Sequence, residues 1–441
     1  YDGSMSKVQN ISTSQSLIFD IKDSDVSGNI LRKKENIYFK ESTGDLISFI
    51  HNENDFVDFD RDRLLFHMSS SEGSCICKGD LDNDGKDDLY IGGSSGYPGE
   101  IFLFRGGKYK KQDYVFLEKD KQSEDADCLI FDANGDGNND IYVASGGNEF
   151  SVFSPELIDR IYFNNNLNFK KSEHILPTGI FSSSSVVISY DYDSDGDEDL
   201  FVGSRLIPQK YGLPATSYIL ENNGDGIFTD VSQLIAPELK DLGMVTDAEW
   251  IDYDNDNDID LIVVGQWMPI TIFENNDNRF TKNLKLGLNN SNGWWNTLEV
   301  ADIDNDGFDD ILVGNQGKNS RFKSSLEKPL TMYVNDFDDN GNIEQIVFQY
   351  NGDSSYTMCL RHDLVMQMPS FKKRYLKYNS YKNQTASDIF NIEKLNSSQV
   401  NKIYTQETSL FFNNSGTFSK GSLPIDAQFS SVYSIFIKDL N

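Results

Sequence analysis

Six short segments of the chain carry aspartates at alternate positions, each directly before an apolar run. The first, GDLDNDGKDDLYIGG, spans residues 79–93 and places five aspartates between Asp80 and Asp88. Like charges in so tight a turn repel one another unless something positive lies between them. Carboxylate oxygens are the ligands that hard cations prefer. The spacing therefore predicts an oxygen cage for a cation, repeated six times along the chain.

The six segments, named loops 1 to 6, align on their first aspartate. Acidic or amide side chains occupy positions 1, 3, 5 and 9, and position 7 is free to offer its backbone carbonyl. Position 6 is a residue type that tolerates a left-handed backbone: Gly85, Gly137, Gly196, Asn257, Gly307 and Gly341. The predicted ligands at positions 1, 3, 5, 7 and 9 are Asp80, Asp82, Asp84, Lys86 and Asp88; Asp132, Asn134, Asp136, Asn138 and Asp140; Asp191, Asp193, Asp195, Asp197 and Asp199; Asp252, Asp254, Asp256, Asp258 and Asp260; Asp302, Asp304, Asp306, Phe308 and Asp310; and Asp336, Asp338, Asn340, Asn342 and Glu344.

Calcium is the cation that this ligand count favours, because Mg²⁺ takes fewer protein ligands in a stricter octahedron. Any one loop could be a solvated turn, but six in the same register favour the cage. An EF-hand would place a glutamate at position 12 and continue into a helix. Here position 12 is Ile91 in loop 1 and valine in the others. The runs after position 9, such as LYIGG and IYVAS, predict strands instead.

A second repeated element follows most loops. It is an apolar strand, an Asn/Gly turn and a further strand, as in IYFNNNLNFKK and LFFNNSGTFSK, which is typical of a hairpin. Successive first aspartates of loops 1 to 5 are 52, 59, 61 and 50 residues apart. Four antiparallel strands at such a period are the blade plan of a β-propeller. We predict an all-β, seven-bladed propeller with calcium loops between strands 1 and 2 of its blades, within a longer protein.

The regular spacing breaks after loop 5, because only 34 residues separate Asp302 from Asp336. The fifth blade is therefore expected to lack its own hairpin, and the sixth to carry an insertion around residues 350–405. The final SVYSIFIKDLN looks like a strand that enters another loop at Asp439 and Asn441, so a seventh blade is expected to be cut off there. The propeller is assigned to residues 36–441, and residues 1–35 to the tail of a preceding β module and a linker.

The composition is strongly acidic, with 70 acidic and 39 basic residues and a formal net charge of −31. No basic patch stands out along the sequence, which argues against nucleic acid and against a bare anionic membrane as partners. The chain has no apolar run of about 18 residues, so no membrane span is predicted. Self-repulsion on this scale suggests that bound cations, about six calcium ions, compensate part of the charge.

The four cysteines are Cys75, Cys77, Cys128 and Cys359. They are too few for a disulfide scaffold, and their spacing is not that of a zinc site. Cys75 and Cys77 lie two apart in a predicted strand and so share a face. We expect them to be ordinary core residues rather than redox groups.

The repeats resemble the FG-GAP/VCBS family of calcium-loop blades. Longer phrases, including DLFVGSRLIPQKYGLP and GMVTDAEWIDYDNDNDIDLIVVGQWMPITIF, are similar to the large Bacteroidetes VCBS proteins with ASPIC/UnbV domains, over about residues 37–441. The opening residues 1–21 resemble the end of an ASPIC/UnbV module. Calcium cages suit surroundings rich in calcium, so the protein is expected to be secreted, periplasmic or at the cell surface. The resemblance narrows this to the outer surface of a Gram-negative cell, commonly as a lipoprotein. Asn257, where a glycine is usual, and Glu344 at the end of loop 6 depart from the pattern.

The face opposite the loops is predicted to contact a ligand or partner, since aromatic residues beside arginine are common in contact surfaces. For each candidate residue of this face, the alternative is that its side chain packs between blades. Adjacent strand residues point to opposite sides, so one of two neighbouring tryptophans is expected to stay accessible. The candidates are Tyr97, Pro98, Phe150, Arg205, Tyr211, Trp267, Trp294 and Trp295.

Catalysis finds little support in the sequence. The four histidines lack partner motifs, and Lys210 with Tyr211 is the one local pair that could serve a lyase as base. We expect a non-catalytic, calcium-stabilised cell-surface binding or scaffold protein. By the family resemblance, it would be an accessory lipoprotein of a TonB-dependent (SusC/SusD-like) nutrient-uptake complex, with an outer-membrane transporter, surface lipoproteins, or an extracellular glycan or peptide as partner. The alternative is a surface carbohydrate-active enzyme, a calcium propeller similar to polysaccharide lyases.

Overall fold

A computed structural model describes residues 46–174, 176–177 and 182–438 of the chain. The chain divides into a unit of residues 1–48 and a unit of residues 49–441, and all the described strands lie in the second unit. The predicted N-terminal tail (1–35) and the start of a further loop at Asp439 lie outside the described residues. Within the described residues, no helix has both the length and the apolar character needed to cross a bilayer.

The first three sheets are four-stranded antiparallel meanders in which consecutive strands are neighbours. Their strands alternate with the acidic loops and the Asn/Gly turns, as the repeat predicts. Sheet 1 contains β1 (Ile76–Gly79), β2 (Asp88–Ile91), β3 (Glu100–Arg105) and β4 (Lys108–Gln112); sheet 2 contains β5 (Glu124–Phe131), β6 (Asp140–Gly146), β7 (Arg160–Asn165) and β8 (Asn168–Lys171); sheet 3 contains β9 (Ser183–Tyr190), β10 (Asp199–Leu206), β11 (Tyr218–Asn222) and β12 (Phe228–Asp230).

Sheets 4 and 5 repeat this order, with one addition each. In sheet 4 a short strand, β17, pairs with the far end of β14; in sheet 5 the second and third strands are separated by a long insertion. Sheet 4 contains β13 (Met244–Ile251), β14 (Asp260–Met268), β15 (Thr271–Asn275), β16 (Phe280–Lys282) and β17 (Gly293–Trp294); sheet 5 contains β18 (Thr297–Ala301), β19 (Asp310–Gly314), β24 (Ser409–Asn413) and β25 (Phe418–Lys420).

The insertion, residues 315–408, forms a sheet of its own, named the inserted sheet. Its strands lie in the order β22-β21-β20-β23, and loop 6 joins its two central strands. The strands are β20 (Leu330–Asn335), β21 (Glu344–Asn351), β22 (Ser354–Thr357) and β23 (Gln399–Ile403).

This topology differs from the predicted one. The fifth sheet has its hairpin, LFFNNSGTFSK, but the chain leaves the sheet after β19 and returns at Ser409. The insertion therefore begins well before residue 350, and loop 6 belongs to it rather than to a sixth consecutive blade. Sequence spacing misses this because the inserted sheet carries an acidic loop of the same design.

Short helices fill the connections, and three of them cover the inserted sheet. The α-helices are α1 (Asp58–Arg61), α2 (Val115–Asp120), α3 (Ser232–Ile235), α4 (Arg361–Gln367), α5 (Ala386–Ile389) and α6 (Ile392–Ser397), with 3₁₀ turns at Pro155–Leu157, Pro237–Leu239, Pro369–Lys372, Tyr378–Ser380 and Ile425–Gln428.

The core lies between the sheets rather than within any one of them. The first strands contact one another in chain order, β1 with β5, β5 with β9, β9 with β13 and β13 with β18. Apolar side chains of facing sheets interdigitate, as Ile262 and Ile272 of sheet 4 do with Ile311 of sheet 5. Gly79 of sheet 1 allows this approach to sheet 2, because a Cβ there would lie 2.4 Å from the Ile130 side chain. Four-stranded antiparallel sheets stacked in this way are consistent with propeller-like blades.

Candidate metal loops and partner face

Each acidic loop lies between the two residues that form the last pair of two antiparallel strands. In sheet 3, for example, Tyr190 pairs with Asp199, so loop positions 1 to 8 project beyond the end of the β9–β10 ladder. Sheet 1 repeats this register with Gly79 opposite Asp88. Position 9 is thus the first residue of the second strand, as predicted, and the whole loop lies at one end of its sheet.

The position 1 aspartate shapes the loop by accepting two backbone N–H groups. Its Oδ1 accepts from position 5 and its Oδ2 from position 6, at 3.1 and 2.7 Å for Asp80. The same pair recurs in the other five loops with Asp132, Asp191, Asp252, Asp302 and Asp336. A carboxylate held by two N–H groups has a fixed orientation, so its place in the cage is set before any ion binds.

The backbone turns through the left-handed region twice in every loop. Position 6 does so as predicted, and Asn257 adopts φ 74° there in place of glycine. Position 4 was not predicted to do so, yet all six residues there have positive φ: Asn83, Gly135, Ser194, Asn255, Asn305 and Asp339. The signal was present in the sequence, since most of these are Asn, Asp or Gly.

Five of the six loops gather acidic oxygens closely enough to share an ion. Within each group the ligand atoms lie within 4.8 Å of one another. Loop 2 differs because position 3 is Asn134, whose side-chain oxygen accepts from Asp136 N at 3.0 Å. The groups are Asp80, Asp82 and Asp88; Asp191, Asp193 and Asp199; Asp252, Asp254 and Asp260; Asp302, Asp304 and Asp306; and Asp336, Asp338 and Glu344.

Buried carboxylate oxygens that accept no hydrogen bond indicate whether these acidic groups suit a cation. Among the described residues, Oδ1 of Asp254 and Oδ1 of Asp338, both at position 3, are buried and accept no hydrogen bond. A buried carboxylate oxygen that lacks a donor is costly. Because these oxygens point among other carboxylates, a cation is the partner that would satisfy them, and the donor set fits one.

The position 9 acid ties the loop to the sheet. In loop 4, Oδ2 of Asp260 accepts from Tyr253 N at 3.4 Å and Oδ1 accepts from Asn275 N on β15 at 2.8 Å. Burial raises the pKa of Asp260 to about 8, and raises that of Asp140 and Asp199 to about 7. A nearby cation would favour the charged form and oppose these shifts.

Comparison with known proteins finds a repeat family that matches part of the chain. The profile of the FG-GAP-like repeat matches residues 132–202, 191–263 and 252–313. Each match begins at position 1 of a loop and ends at position 12 of the next. The chain contains three FG-GAP-like repeats. They include loops 2 to 5, and loops 1 and 6 lie outside the matched residues. No curated protein matches the chain.

Solved structures resemble parts of the chain at low identity. The V. cholerae biofilm matrix protein Bap1 is 16% identical with a TM-score of 0.31, over 64% of this chain and 38% of that protein. An Agrocybe aegerita lectin that recognises non-reducing terminal N-acetylglucosamine is 16% identical with a TM-score of 0.36, over 81% of this chain and 82% of that one. A putative exo-beta-1,3-galactanase from Bifidobacterium bifidum is 8% identical with a TM-score of 0.30, over 67% of this chain and 90% of that one. This chain therefore spans less than two fifths of Bap1, and likeness at this level identifies no ligand.

Loops 1 and 6 receive a basic side chain from the protein itself. Arg105, on β3, pairs with Asp82, and its Nη1 lies 3.0 Å from Asp84 Oδ2. Lys394, on α6, pairs with Asp339 at 2.6 Å. Both loops lie outside the matched FG-GAP-like repeats. Arg105 thus partly neutralises two predicted ligands of loop 1, whereas Lys394 pairs with an aspartate at position 4 that is not a predicted ligand of loop 6.

Position 7 and position 9 of the loops show two further details. The position 7 residue donates its N–H to the position 5 side chain, as Phe308 does to Asp306 at 3.0 Å; that its carbonyl is a ligand stays a prediction. In loop 6, Glu344 accepts from Phe337 N at 2.9 Å, but its Oε1 is buried without a partner among the described residues. That the longer side chain reshapes the end of this loop stays a prediction.

An asparagine on the third strand links neighbouring sheets, and sequence reasoning missed it. Asn222 Nδ2 donates to Ala133 O, in the loop of the preceding sheet, at 2.9 Å. It also donates to Glu198 O in its own loop at 3.2 Å. Asn164 and Asn413 make the same two kinds of contact. The signal was the recurring NN of the hairpins, which was interpreted only as a turn.

The predicted partner face is mostly interior. Tyr97 is 44% exposed and Phe150 is half-buried, whereas Tyr211, Trp267, Trp294 and Trp295 are buried. The expectation that one of Trp294 and Trp295 stays accessible is wrong, because their exposures are 2% and 0%.

Strand β17 explains this burial, since it lies between packed layers and both of its sides face protein. Trp294 packs against Trp267 and Phe322. Trp295 donates Nε1–H to Ser291 O at 3.1 Å within the core of sheets 4 and 5.

Tyr211 is held in a way that does not suit a catalytic base. Its hydroxyl donates to Gln266 Oε1 at 2.7 Å and accepts from Trp267 Nε1 at 3.1 Å. Burial raises its pKa well above the ordinary tyrosine value. Lys210 beside it is exposed. The pair therefore does not meet as a lyase site in this structure.

Arg205 lines a cavity of about 210 Å³ at the strand ends remote from the loops. It pairs with Glu72, and burial lowers its pKa to about 10. Serine hydroxyls and Glu124 complete much of the lining. The cavity is polar, and a larger cavity of about 770 Å³ is lined by Trp267 of the same predicted face.

The cysteines differ from the prediction. Cys77 on β1 and Cys128 on β5 form a disulfide with a Cα–Cα distance of 5.7 Å, so they join sheets 1 and 2 rather than serving as separate core residues. Cys75 and Cys359 are free. Sequence reasoning considered Cys77 with Cys75, its neighbour in the strand, and therefore overlooked a partner on the adjacent sheet.

Proposed function

We propose that the acidic loops hold calcium and that this calcium stabilises a binding or scaffold protein. The observation that carries the proposal is the convergence of three acidic side chains in each of five loops, together with the buried, unpartnered oxygens of Asp254 and Asp338. Calcium fits better than magnesium because the loops offer many flexible oxygen ligands. In loop 4 the ligands would be the side chains of Asp252, Asp254, Asp256 and Asp260, with the Asp258 carbonyl.

Bound calcium would supply the positive charge that these carboxylates lack. The chain's own residues hold the loop in place. Asp252 fixes the loop by accepting two backbone N–H groups, and Asp260 joins the loop to β15 by accepting the Asn275 N–H. Ion binding then favours the folded state, since the unfolded chain has no preformed cage.

Calcium titration of a matched pair of variants tests this proposal. Asp254→Ala removes a ligand of loop 4, whereas Asp225→Ala makes the same charge change in an exposed hairpin turn. We expect Asp254→Ala to bind one calcium fewer by calorimetry, and Asp225→Ala to bind as many as the original protein. Absence of calcium binding at millimolar concentration, or equal stoichiometry in both variants, would contradict the proposal.

An extracytoplasmic location is part of the proposal. Extracellular calcium modules bind at about 10⁻⁴–10⁻³ M, where calcium is plentiful. The Cys77–Cys128 disulfide supports the same compartment, because disulfides persist in oxidising surroundings. The sequence resemblance adds the outer face of a Gram-negative outer membrane and a lipoprotein form. Cell-surface proteolysis of intact cells, with a periplasmic protein as the protected control, tests this location.

The partner we propose is an outer-membrane transporter of the TonB-dependent kind, with surface lipoproteins or an extracellular glycan or peptide as further candidates. This rests on the sequence resemblance. Affinity purification from native membranes in calcium, followed by mass spectrometry, tests it. Enrichment of such a transporter supports the role of accessory subunit. Recovery of the protein alone, or polysaccharide turnover by the purified protein, would favour the carbohydrate-active alternative.

A further inference from the structure

We propose that residues 361–382, within the insertion of residues 315–408, form a docking surface for an anionic lipid bilayer. This segment contains six basic residues and one acidic residue, in a chain whose net charge is −31. It includes α4 and the 3₁₀ turns at Pro369–Lys372 and Tyr378–Ser380. The whole-chain charge hides this local reversal, so the sequence-based argument against an anionic membrane as partner does not hold for this segment.

Four lysines supply the free positive charge of the surface: Lys372, Lys373, Lys377 and Lys382. All four are exposed, and no ion pair joins any of their ammonium groups to a carboxylate of the described residues. The two arginines are used differently. Arg361 Nε donates to Tyr375 O at 2.5 Å and Arg374 Nη1 to Ile389 O at 2.7 Å, so they hold the segment together.

Apolar side chains are exposed among these lysines. Leu376 is 72% exposed, Met366 59% and Tyr378 50%. The hydrogen bond of 2.9 Å between Tyr378 and His362 Nδ1 brings residues 376–378 next to α4. Residues 361–382 thus present leucine, methionine and tyrosine side chains beside free ammonium groups.

This combination fits a bilayer better than a protein partner. Lysine is depleted in the centres of protein interfaces, whereas at a membrane its long stem reaches past apolar surface to the lipid phosphates. Tyrosine and leucine are typical interfacial anchors.

Vesicle sedimentation of the full chain tests the proposal. We expect binding to phosphatidylcholine vesicles containing one quarter phosphatidylglycerol at 0.15 M salt, and little binding to pure phosphatidylcholine. The variant K372Q/K373Q/K377Q/K382Q should lower the partition coefficient at least tenfold, since each lysine near an anionic surface contributes to attraction. Leu376→Ser should lower it about threefold or more, because an exposed anchor is lost.

Two controls separate this surface from other causes. K108Q/K110Q/K240Q/K285Q removes four exposed lysines elsewhere and should bind as the original protein does. Leu284→Ser removes an exposed leucine (65%) outside the segment and should do the same. Thermal unfolding in calcium checks that every variant is folded.

Four results would overturn the proposal. They are no binding of the original protein, equal binding to both vesicle types, retention of binding by K372Q/K373Q/K377Q/K382Q, or equal loss in the control quadruple variant. Binding to soluble polyglutamate but not to vesicles would also overturn it in favour of an acidic protein partner. Calcium could also bridge the acidic loops to lipid phosphates. If the lysine variant loses vesicle binding at an unchanged calcium concentration, such bridging is excluded as the cause of binding.

Discussion

Asp140 and Asn164 connect a loop end to the joint between two sheets. The Asn164 N–H donates to Asp140 Oδ1 at 2.7 Å, while its side chain donates to Leu81 O of the preceding sheet at 2.8 Å. One residue therefore touches both the position 9 acid of loop 2 and the first acidic loop of its neighbour. If the loops bind calcium as proposed, such asparagines would couple ion binding to the packing of the sheets.

Replacing this asparagine is expected to destabilise the fold more than an ordinary surface change. Asn164→Ala leaves the Leu81 and Asn139 carbonyls without the donor they have now. We expect a loss of about 2–4 kcal/mol, because each buried group left unpaired costs about 1–3 kcal/mol. Urea unfolding in calcium measures it.

The asparagine at the same place in sheet 4 provides a comparison for that prediction. Among the described residues, Asn275 donates to Ile259 O in its own loop but not to the preceding sheet, so Asn275→Ala should cost less than Asn164→Ala. The exposed Asn165→Ala is the control and should stay within about 0.5 kcal/mol. If Asn164→Ala and Asn165→Ala lowered the free energy of unfolding equally, the structural role of Asn164 between the two sheets would be contradicted.

Removal of calcium is expected to lower the thermal midpoint. A site held at ten times its dissociation constant contributes about 1.4 kcal/mol to folding, and five loops have converging acidic groups. Chelator should therefore shift the midpoint by many degrees, and added calcium should restore it. Magnesium at the same concentration should restore less of it, and an unchanged midpoint in chelator would refute calcium stabilisation.

The pH dependence of stability should include a contribution from Glu124. Burial raises its pKa to about 8, above the ordinary value of about 4.3. The folded protein therefore retains a proton that the unfolded chain releases between these values. The stability that this proton provides is complete at low pH and is lost as the pH rises toward 8.

Glu124→Gln tests that contribution. We expect the free energy of unfolding to fall less steeply from pH 5 to pH 9 in this variant than in the original protein, measured in urea at constant calcium. Glu118→Gln, at an exposed glutamate, should keep the original slope. Identical slopes for all three proteins would show that Glu124 is not protonated at neutral pH.

The Cys77–Cys128 disulfide is expected to contribute about 2–4 kcal/mol. It joins cysteines 51 residues apart, and such a crosslink restricts the unfolded chain. The double variant C77S/C128S should be that much less stable and insensitive to reductant, whereas Cys359→Ser should keep the response to dithiothreitol. If dithiothreitol does not change the stability of the original protein, the disulfide is absent in solution.

Trp294 should behave as a core residue rather than a contact residue. Trp294→Ala is expected to cost about 3–5 kcal/mol, as for other large core side chains, because it loses Trp267 and Phe322. Tyr97→Ala, at an exposed position, should leave stability unchanged. Guanidinium unfolding followed by circular dichroism distinguishes the two.

The local features of this fold were readable from the sequence because they depend on short-range geometry. The strand register around Asp80 and Asp88 and the left-handed turn at Gly85 follow from residues within one loop. The FG-GAP-like repeats were recognisable for the same reason, since each loop repeats the same spacing.

Long-range relationships were not readable in this way. The role of Asn164 depends on which sheet lies beside it, and the burial of Trp294 depends on packing against Phe322 in the insertion. The pairing of Cys77 with Cys128 likewise requires two sheets to be adjacent. Single-sequence patterns contain no information about these neighbours.

The placement of residues 315–408 inside sheet 5 has a consequence for biosynthesis. As the chain leaves the ribosome, β19 must wait with its outer edge unpaired until the whole insertion has emerged and β24 follows. An unpaired strand edge invites association with other chains. Early folding of the inserted sheet would shorten that interval by drawing Gly314 and Ser409 together.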